Sequence, residues 1–377
     1  MAKLNNITRH QAQKLQTLLD QIVKTKPLNH ALLRIETETG ESWSGSAGQI
    51  NGSTPDPLTP FFIASIDKLF TATVSLQLIE EKQLSLDGFI KDYIPTNSLN
   101  KIHCYKGVDY SEQITLRHLL SHSSGLADWL EDSPKSQPSL IEQLIQQGDT
   151  SISSEQIFDF VRAHLTPHFP PSDFKTTKQR PAKIRYSDTN FVLLKTIIEA
   201  VCDQNIRDVF QQRLFSPLKL AHTFFAESER HPTATPLYFQ GQELAIPQIL
   251  ASINGLYSNT TDLIRFMRAL VNQELFKDVA SFNRMQTWQR FGFPIDKAAL
   301  RAPNWPIEYG LGLKRFKLPR WLEPFNPTPA VIGHTGSTGT WLFYCEELGV
   351  FISGTVDEIT AGAIPFRQLG RILRCLN

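Results

Sequence analysis

The chain places its strand-forming segments at its two ends and its helix-forming segments between them. β-Rich runs occupy residues 30–36 and 41–49 near the start, and residues 340–345 and 350–355 near the end. Each pair is separated by a short turn signal, so each is predicted to form a hairpin. Strands at both termini around a helical middle are typical of an α+β fold. We therefore predict a largely antiparallel sheet, assembled from both ends of the chain and flanked by helices.

Helical patterns dominate the rest of the chain. Residues 8–24 carry one apolar stripe, and residues 65–82 lack proline and glycine and are mostly apolar, which predicts a buried helix. Further helices are predicted at 114–121, 139–147, 154–164, 190–202 and 362–375. The resulting prediction is a discontinuous sheet domain, residues 1–82 and 251–377, with a mainly helical domain of residues 83–250 inserted into it.

Charge and cysteine content exclude several classes of function. The 377 residues include 38 lysines and arginines against 37 acidic residues, so a net charge of +1 offers no electrostatic footprint for nucleic acid or an anionic membrane. No apolar run is long enough to span a bilayer. The four cysteines form no C-x-x-C pair, so neither a disulfide framework nor a structural zinc cluster is expected. The N-terminus has no apolar signal-peptide core. We predict a cytoplasmic protein, and a chain whose leader had been removed would look the same.

A serine followed three residues later by a lysine is a compact arrangement for nucleophilic catalysis. The two side chains share one helical face, and a helix N-terminus adds free backbone N–H groups for an oxyanion. The chain has four such pairs, Ser65–Lys68, Ser98–Lys101, Ser172–Lys175 and Ser216–Lys219. Only Ser65 follows an apolar approach and opens a long buried helix, so we predict Ser65 as the nucleophile. The alternative is that Ser65 merely caps the helix while Lys68 reaches solvent.

Two further segments carry candidate polar groups. Tyr186-Ser187-Asp188 precedes the helix predicted at 190–202, where a phenol can approach the serine and lysine. The run HTGSTG at 334–339 precedes the strand at 340–345. The edge of a strand can supply a backbone N–H group that binds an oxyanion. Taken singly, each segment also has an ordinary structural explanation, as a helix cap with a packed aromatic or as a glycine-rich turn.

In this order, the three segments resemble the serine β-lactamase and penicillin-recognising enzyme family. The resemblance is greatest to the class C β-lactamase-like branch, with its family VIII carboxylesterases and D-aminopeptidases. The stretches LLSHSSGL at 119–126, NGLYS at 254–258 and YGLG at 309–312 also resemble the family. The resemblance runs from about residue 28 to the C-terminus, and it implies an antiparallel sheet beside an all-helical domain, with the active site between them.

The resemblance implies roles for particular residues. Ser65 is expected to be acylated, with Lys68 and Tyr186 together acting as the general base. The backbone N–H groups of Ser65 and Ser337 are expected to form the oxyanion hole. The expected substrate-binding residues are Asp188, His334, Gly336 and Ser337. Asp188 departs from the usual asparagine of β-lactamases, and if it faces Lys68 it favours the ammonium form and moves the base role towards Tyr186. His334 departs from the usual lysine and offers less positive charge to a substrate carboxylate.

The predicted activity is hydrolysis of a small ester or amide through an acyl-enzyme on Ser65, with no metal or cofactor. Because the two departures weaken the case for a β-lactamase, we rank a carboxylesterase first, a D-amino-acid peptidase or amidase second and a β-lactamase third. Acyl transfer from the same site and a non-catalytic binding relative are the alternatives. The pairs His118/His122 and His164/His168 have four-residue spacing but no adjacent glutamate, so no metal site is expected.

Overall fold

One antiparallel sheet joins the two ends of the chain. The computed structural model describes residues 3–24, 28–94, 96–172, 182–291, 307–317 and 327–376. Within them, eight strands pair in the order β3-β4-β5-β6-β7-β8-β1-β2, every pair antiparallel. In chain order the strands are β1 (His30–Thr37), β2 (Ser42–Gly48), β3 (Gln289–Arg290), β4 (Ile307–Tyr309), β5 (Lys314–Phe316), β6 (Val331–Thr335), β7 (Trp341–Cys345) and β8 (Val350–Thr355).

The pairing of β1 with β8 closes the fold. Leu32 lies opposite Thr355, and Thr37 lies opposite Val350, so the first strand completes the ladder of the last. The predicted α+β class and the sheet built from both termini are therefore confirmed. Both predicted hairpins form, β1 with β2 and β7 with β8.

Each predicted helix forms, and the described residues contain further helices that the sequence analysis does not predict. Along the chain they are α1 (Arg9–Ile22), α2 (Asp67–Glu80), α3 (Thr96–Leu99), α4 (Leu116–Leu120), α5 (Leu140–Gln147), α6 (Ser154–His164), α7 (Thr189–Cys202), α8 (Ile206–Phe210), α9 (Ser216–Leu218), α10 (Pro247–Ser252), α11 (Thr260–Val271), α12 (Val279–Met285) and α13 (Ile364–Leu376). A π-helical turn, Gln211–Phe215, connects α8 to α9. No helix in these described ranges is long and apolar enough to cross a membrane.

Both faces of the sheet are covered by helices. On one face Leu33 and Phe343 pack against α1 and α13, and on the other Leu32 and Leu342 join the core formed by α2 and the middle of the chain. Successive side chains of a strand point to opposite faces, and a strand buried on both faces is apolar at consecutive positions. This explains the unbroken apolar run of β7.

The middle of the chain contains short strands that the sequence does not predict. Hairpins whose strands have two residues each form at 104–109 and 238–243. A separate three-stranded sheet contains Phe224–Phe225, Phe61–Phe62 and Leu256–Ser258. The last sheet positions the approach to Ser65, because Ile63 N–H donates to the carbonyl of Leu256 at 2.9 Å. The division into domains at residues 82 and 250 stays a prediction.

Candidate active site

The turn that carries Ser65 is held in a strained conformation. Ser65 lies in the 3₁₀ turn Ala64–Ile66, directly before α2. Ala64 has a φ of +45°, a left-handed conformation that costs a residue with a side chain about 1–3 kcal/mol. A Cβ on Gly336 would lie 2.8 Å from the Ala64 Cβ and 3.0 Å from the Ile63 carbonyl oxygen. The end of β6 therefore presses against the Ser65 turn only because residue 336 has no side chain.

Lys68 connects the predicted nucleophile to an acidic partner. Its Nζ donates to Ser65 Oγ at 3.1 Å and to Asp188 Oδ1 in a close ion pair. Burial opposes the charge of Lys68, but the Asp188 carboxylate outweighs it and the pKa of Lys68 is raised overall. Asp188 occupies the N-cap position of α7, yet its side chain makes no capping hydrogen bond. Asp188 thus faces Lys68, as the conditional prediction required, and Lys68 rests as an ammonium ion.

A second ion pair fixes the same two helices to each other. Lys195 Nζ on α7 lies 2.6 Å from Asp67 Oδ2 on α2, so each helix contributes one acid and one lysine to the contact. Lys195 also donates to the carbonyl of Asn254 at 3.1 Å. The paired charges orient the start of α2, and Lys68 with it.

Tyr186 reaches the same place, as the sequence predicts. Its ring centroid lies 5.0 Å from Lys68 Nζ. Its hydroxyl is buried without a hydrogen-bond partner among the described residues. Burial, followed by the Asp188 carboxylate, raises the pKa of Tyr186 well above its usual value, and the neighbouring Ser65 hydroxyl opposes that rise. Tyr186 therefore rests as a neutral phenol beside Ser65.

His122 fixes the backbone on both sides of Tyr186. Arg185 N–H donates to the His122 carbonyl at 2.9 Å, and Ser187 N–H donates to His122 Nδ1 at 3.2 Å. The His122 ring lies 4.3 Å from the Tyr186 ring between centroids. Burial lowers the pKa of His122 well below its ordinary value, so the ring is neutral and its Nδ1 accepts. His118, the other member of this spaced pair, accepts from Thr115 N–H at its Nδ1.

Lys314, the first residue of β5, is a site residue that the sequence analysis missed. Its Nζ donates to Thr335 Oγ1 at 3.2 Å and lies 5.1 Å from the Tyr186 ring centroid. Burial, followed by the charge of Lys68, lowers the pKa of Lys314 to about 7. The residue arrives here because β5 pairs with β6, with Lys314 opposite Gly333. Only the pairing of the strands could have signalled it.

The His334 side chain is fully buried and packs against other protein groups. Its side chain is 0% exposed, with Nδ1 2.8 Å from the carbonyl oxygen of Thr335 and Nε2 3.2 Å from the Tyr309 hydroxyl. Because a carbonyl only accepts, Nδ1 carries the proton and Nε2 accepts from Tyr309. Burial, then the charge of Lys314, lowers the pKa of His334 well below its usual value. That His334 binds substrate stays a prediction, and the ring is neutral and held by protein groups.

The predicted segments meet at one cavity. Ser65, Lys68, Asp188 and Ser337 all line it. Gly336 contributes through its close approach to the Ser65 turn, whereas Ser337 is exposed. The oxyanion-hole role of the Ser65 and Ser337 N–H groups stays a prediction. Across the described ranges, no cluster of three or more His, Cys, Asp or Glu side chains is arranged to hold a metal ion.

The arrangement has counterparts among known proteins. The family model described as Beta-lactamase matches residues 32–356. The chain belongs to the beta-lactamase family. The match includes the strands of both chain ends and all three site segments, and it confirms the superfamily predicted from the motifs.

Curated relatives of this beta-lactamase family member are distant. The protein named D-alanyl-D-alanine-carboxypeptidase/endopeptidase AmpH, from Escherichia coli (strain K12), is 23% identical over 310 residues, which is 79% of this chain and 71% of AmpH. The protein PbpX of Bacillus subtilis (strain 168) is 25% identical over 239 residues, covering 62% of this chain. The chain spans about half the length of PbpX, at 51%.

Solved structures share the fold over nearly the whole chain. A D-stereospecific amidohydrolase from Streptomyces sp. superposes with a TM-score of 0.75 at 24% identity, covering 98% of both chains. EstCE1, a hydrolase with promiscuous acyltransferase activity, superposes with a TM-score of 0.73 at 17% identity, covering 97% of this chain and 98% of its own. The protein is thus a serine hydrolase of the beta-lactamase family, with the fold of that family.

Proposed function

We propose that the protein hydrolyses small carboxylic esters, and less readily amides, through an acyl-enzyme on Ser65. One observation carries the proposal: hydroxyl, amine, carboxylate and phenol converge from separate parts of the chain. Lys68 Nζ lies 3.1 Å from Ser65 Oγ, contacts Asp188, and lies 5.0 Å from the Tyr186 ring centroid. A nucleophile beside candidate proton-transfer groups is the arrangement that acyl transfer to serine requires.

The resting protonation states give Lys68 and Tyr186, the two candidate bases, different roles. Because Asp188 holds Lys68 as an ammonium ion, Lys68 donates a hydrogen bond to Ser65 Oγ and stabilises negative charge that develops there. Tyr186 is a neutral phenol. It acts as a proton carrier, taking the Ser65 proton as it releases its own to the leaving group.

The two half-reactions balance in atoms and protons. In acylation, Ser65 Oγ bonds to the substrate carbonyl carbon, the bond to the leaving oxygen breaks, and the leaving alcohol receives a proton through Tyr186. In deacylation, water attacks the acyl carbon, gives a proton to Ser65 Oγ through the same phenol, and releases the carboxylic acid. An alkoxide leaves more readily than an amide nitrogen, so a weakly acidic phenol suits esters better than amides.

Acyl transfer to an alcohol or amine is the second candidate on the same acyl-enzyme. EstCE1, a hydrolase with promiscuous acyltransferase activity, shares this fold. Only the acceptor differs between the two reactions. Product analysis with an added alcohol separates them, because transfer yields a new ester where hydrolysis yields the acid.

A fluorophosphonate probe followed by peptide mass spectrometry tests the role of Ser65. We expect labelling at Ser65 in the folded protein and none after unfolding in urea. Ser65→Ala should lower the kcat for nitrophenyl butyrate by about 10³-fold or more, because the covalent step is removed.

Ser216→Ala is the matched control, because it removes the serine of another Ser-x-x-Lys pair. It should keep both labelling and turnover at the wild-type level. Labelling spread over several serines, or full turnover in Ser65→Ala, would contradict the proposed function.

A further inference from the structure

The cavity at Ser65 extends into an aliphatic chamber. Beyond the polar groups of the site, its wall comes mainly from α5, α6, α7 and α10. The side chains that define this chamber are Leu144, Ile145, Ile157, Val192, Ile249 and Leu250. Branched aliphatic groups offer a substrate no hydrogen bonds and gain only by being covered with another apolar surface.

The charges that line the cavity are already neutralised near Ser65. Lys68 pairs with Asp188, and Asp67 pairs with Lys195. Glu199 also lines the cavity, but it lies eleven residues after Asp188 on α7, about 16 Å along the helix, and it accepts from Ile206 N–H. An α-ammonium group next to a scissile carbonyl therefore meets no unpaired carboxylate among these cavity-lining acids.

The volume of the cavity indicates the length of the acyl chain that it accommodates. Its volume is about 170 Å³, slightly more than the ~150 Å³ apolar cavity that accommodates a benzene ring. An acyl chain of about six to eight carbons fills a space of this size. A two-carbon acyl group leaves most of it empty, and a chain of twelve or more carbons extends beyond it.

Part of the wall is built in advance by buried acids that follow β8. The wall includes Leu237 and Leu244, on either side of the hairpin at 238–243. Glu358 accepts from Gln240 N–H at 3.0 Å and from Gly241 N–H at 2.9 Å, and the Asp357 carbonyl accepts from Tyr238 N–H at 2.8 Å. The hairpin is thus anchored to the sheet, and the chamber is present before substrate arrives.

We propose that the aliphatic chamber is an acyl-chain site, and that the natural substrates carry an uncharged, unbranched acyl group of about six to eight carbons. This inference rests on the proposed function of Ser65, since it specifies which acyl group the serine receives. It separates the protein from hydrolases whose acyl group carries a free amine.

Nitrophenyl esters of acetate, butyrate, hexanoate, octanoate and dodecanoate test the inference. Each methylene that is fully buried should raise kcat/KM by up to about fourfold. We expect kcat/KM to rise at least 50-fold from acetate to octanoate, relative to the hydroxide-catalysed rates, and to fall again at dodecanoate. Equal or higher kcat/KM for acetate would overturn the proposal, as would faster hydrolysis of D-phenylalanyl nitroanilide than of octanoyl nitroanilide.

Leu144→Trp fills the chamber without touching the polar groups of the site. It should lower the ratio of kcat/KM for octanoate to kcat/KM for acetate at least tenfold and move the optimum to butyrate or shorter. Leu58→Trp makes the same exchange at an exposed leucine outside the cavity and should keep the wild-type profile. An unchanged profile in folded Leu144→Trp would refute the chamber as the acyl site. Should that variant not fold, Ile157→Phe tests the same wall.

Failure of the proposed function has a different signature. In that case no ester of any length is hydrolysed, and the fluorophosphonate leaves Ser65 unlabelled. A protein that labels at Ser65 and hydrolyses acetate but shows no chain-length preference retains the proposed function and loses only the acyl-chain site.

Discussion

In the proposed mechanism, Asp188 determines which side chain transfers the proton of Ser65. A carboxylate accepts hydrogen bonds and attracts positive charge, whereas the asparagine usual in related β-lactamases also donates. Its contact with Lys68 raises the pKa of that lysine despite burial. In the proposed mechanism, this exchange of nitrogen for oxygen keeps Lys68 as an ammonium ion and assigns proton transfer to Tyr186.

Lys314 makes stability depend on pH in a window where few other groups titrate. Its pKa is about 7 in the folded chain, whereas a lysine in the unfolded chain titrates near 10.4. Between these values the unfolded state binds more protons, so the free energy of unfolding rises with pH. We expect a rise of roughly 1–2 kcal/mol from pH 7 to 8.5, measured by urea denaturation. Near pH 8.5 and above, the four cysteines, whose pKa values are raised by burial, add an opposite trend because they ionise more readily in the unfolded chain.

Two lysine variants separate this effect from a general response to pH. Lys314→Met removes the titrating group and should flatten the increase. Lys317→Met makes the same exchange at an exposed position and should preserve it. A wild-type protein whose stability is level or falls across this window would show that Lys314 keeps an ordinary proton affinity.

Residue identity predicts part of this site and not the rest. Ser65, Lys68 and Tyr186 can be found because two lie in one short motif and the third lies just before a helix. Lys314 and His122 cannot, because the first depends on strand pairing and the second acts through its backbone and ring against another segment. For His334, its place in a glycine-rich motif does not reveal that its ring contacts Tyr309.

At the level of elements, the contact between β6 and the Ser65 turn is sensitive to added volume. A Cβ on Gly336 would meet Thr340 Oγ1 at 2.2 Å and Ala64 Cβ at 2.8 Å. Gly336→Ala should therefore cost about 1–3 kcal/mol of stability through overpacking. Since the turn must move, kcat for an ester should also fall about 100-fold or more. Thermal unfolding and steady-state kinetics measure the two effects.

Gly370→Ala provides the control in a helix of the same protein. The added Cβ on α13 meets nothing closer than 3.4 Å, so the variant should gain about 0.5–1 kcal/mol and keep its kcat. A Gly336→Ala protein with wild-type kcat would mean that the Ser65 turn tolerates displacement.

Element prediction succeeds for several long periodic segments but misses α11, a helix of 12 residues, and it fails for the shortest strands. The helix predicted at 190–202 is Thr189–Cys202, and the strand predicted at 340–345 is Trp341–Cys345. β3 and β4 have two and three residues, too few to show an alternation. The helix predicted to start at Ser65 begins two residues later, because Ala64 adopts a left-handed conformation and the 3₁₀ turn intervenes.

On the scale of the whole molecule, one apolar core crosses the predicted domain boundary. Leu32 of the sheet, Leu69 of α2, Phe158 of α6 and Leu193 of α7 belong to the same buried cluster. Elements that share a core stabilise one another, so neither region is expected to retain its structure after the other is lost.

We therefore expect a single unfolding transition in urea. Far-UV circular dichroism, dominated by the helices, and tryptophan fluorescence should give coincident midpoints within about 0.2 M. Two separated transitions would instead support independent folding of residues 83–250, as the predicted domain division allows.

The ion pair between Lys68 and Asp188 also has a consequence for synthesis. The two residues are 120 positions apart, and the turn beside them rests against Gly336. During translation, Ser65 and Lys68 leave the ribosome long before the carboxylate, the phenol and the last strands exist. The nascent polypeptide therefore carries an ordinary, unreactive serine, and the hydroxyl gains its partners only after residues 186–188 and 336 have been synthesised.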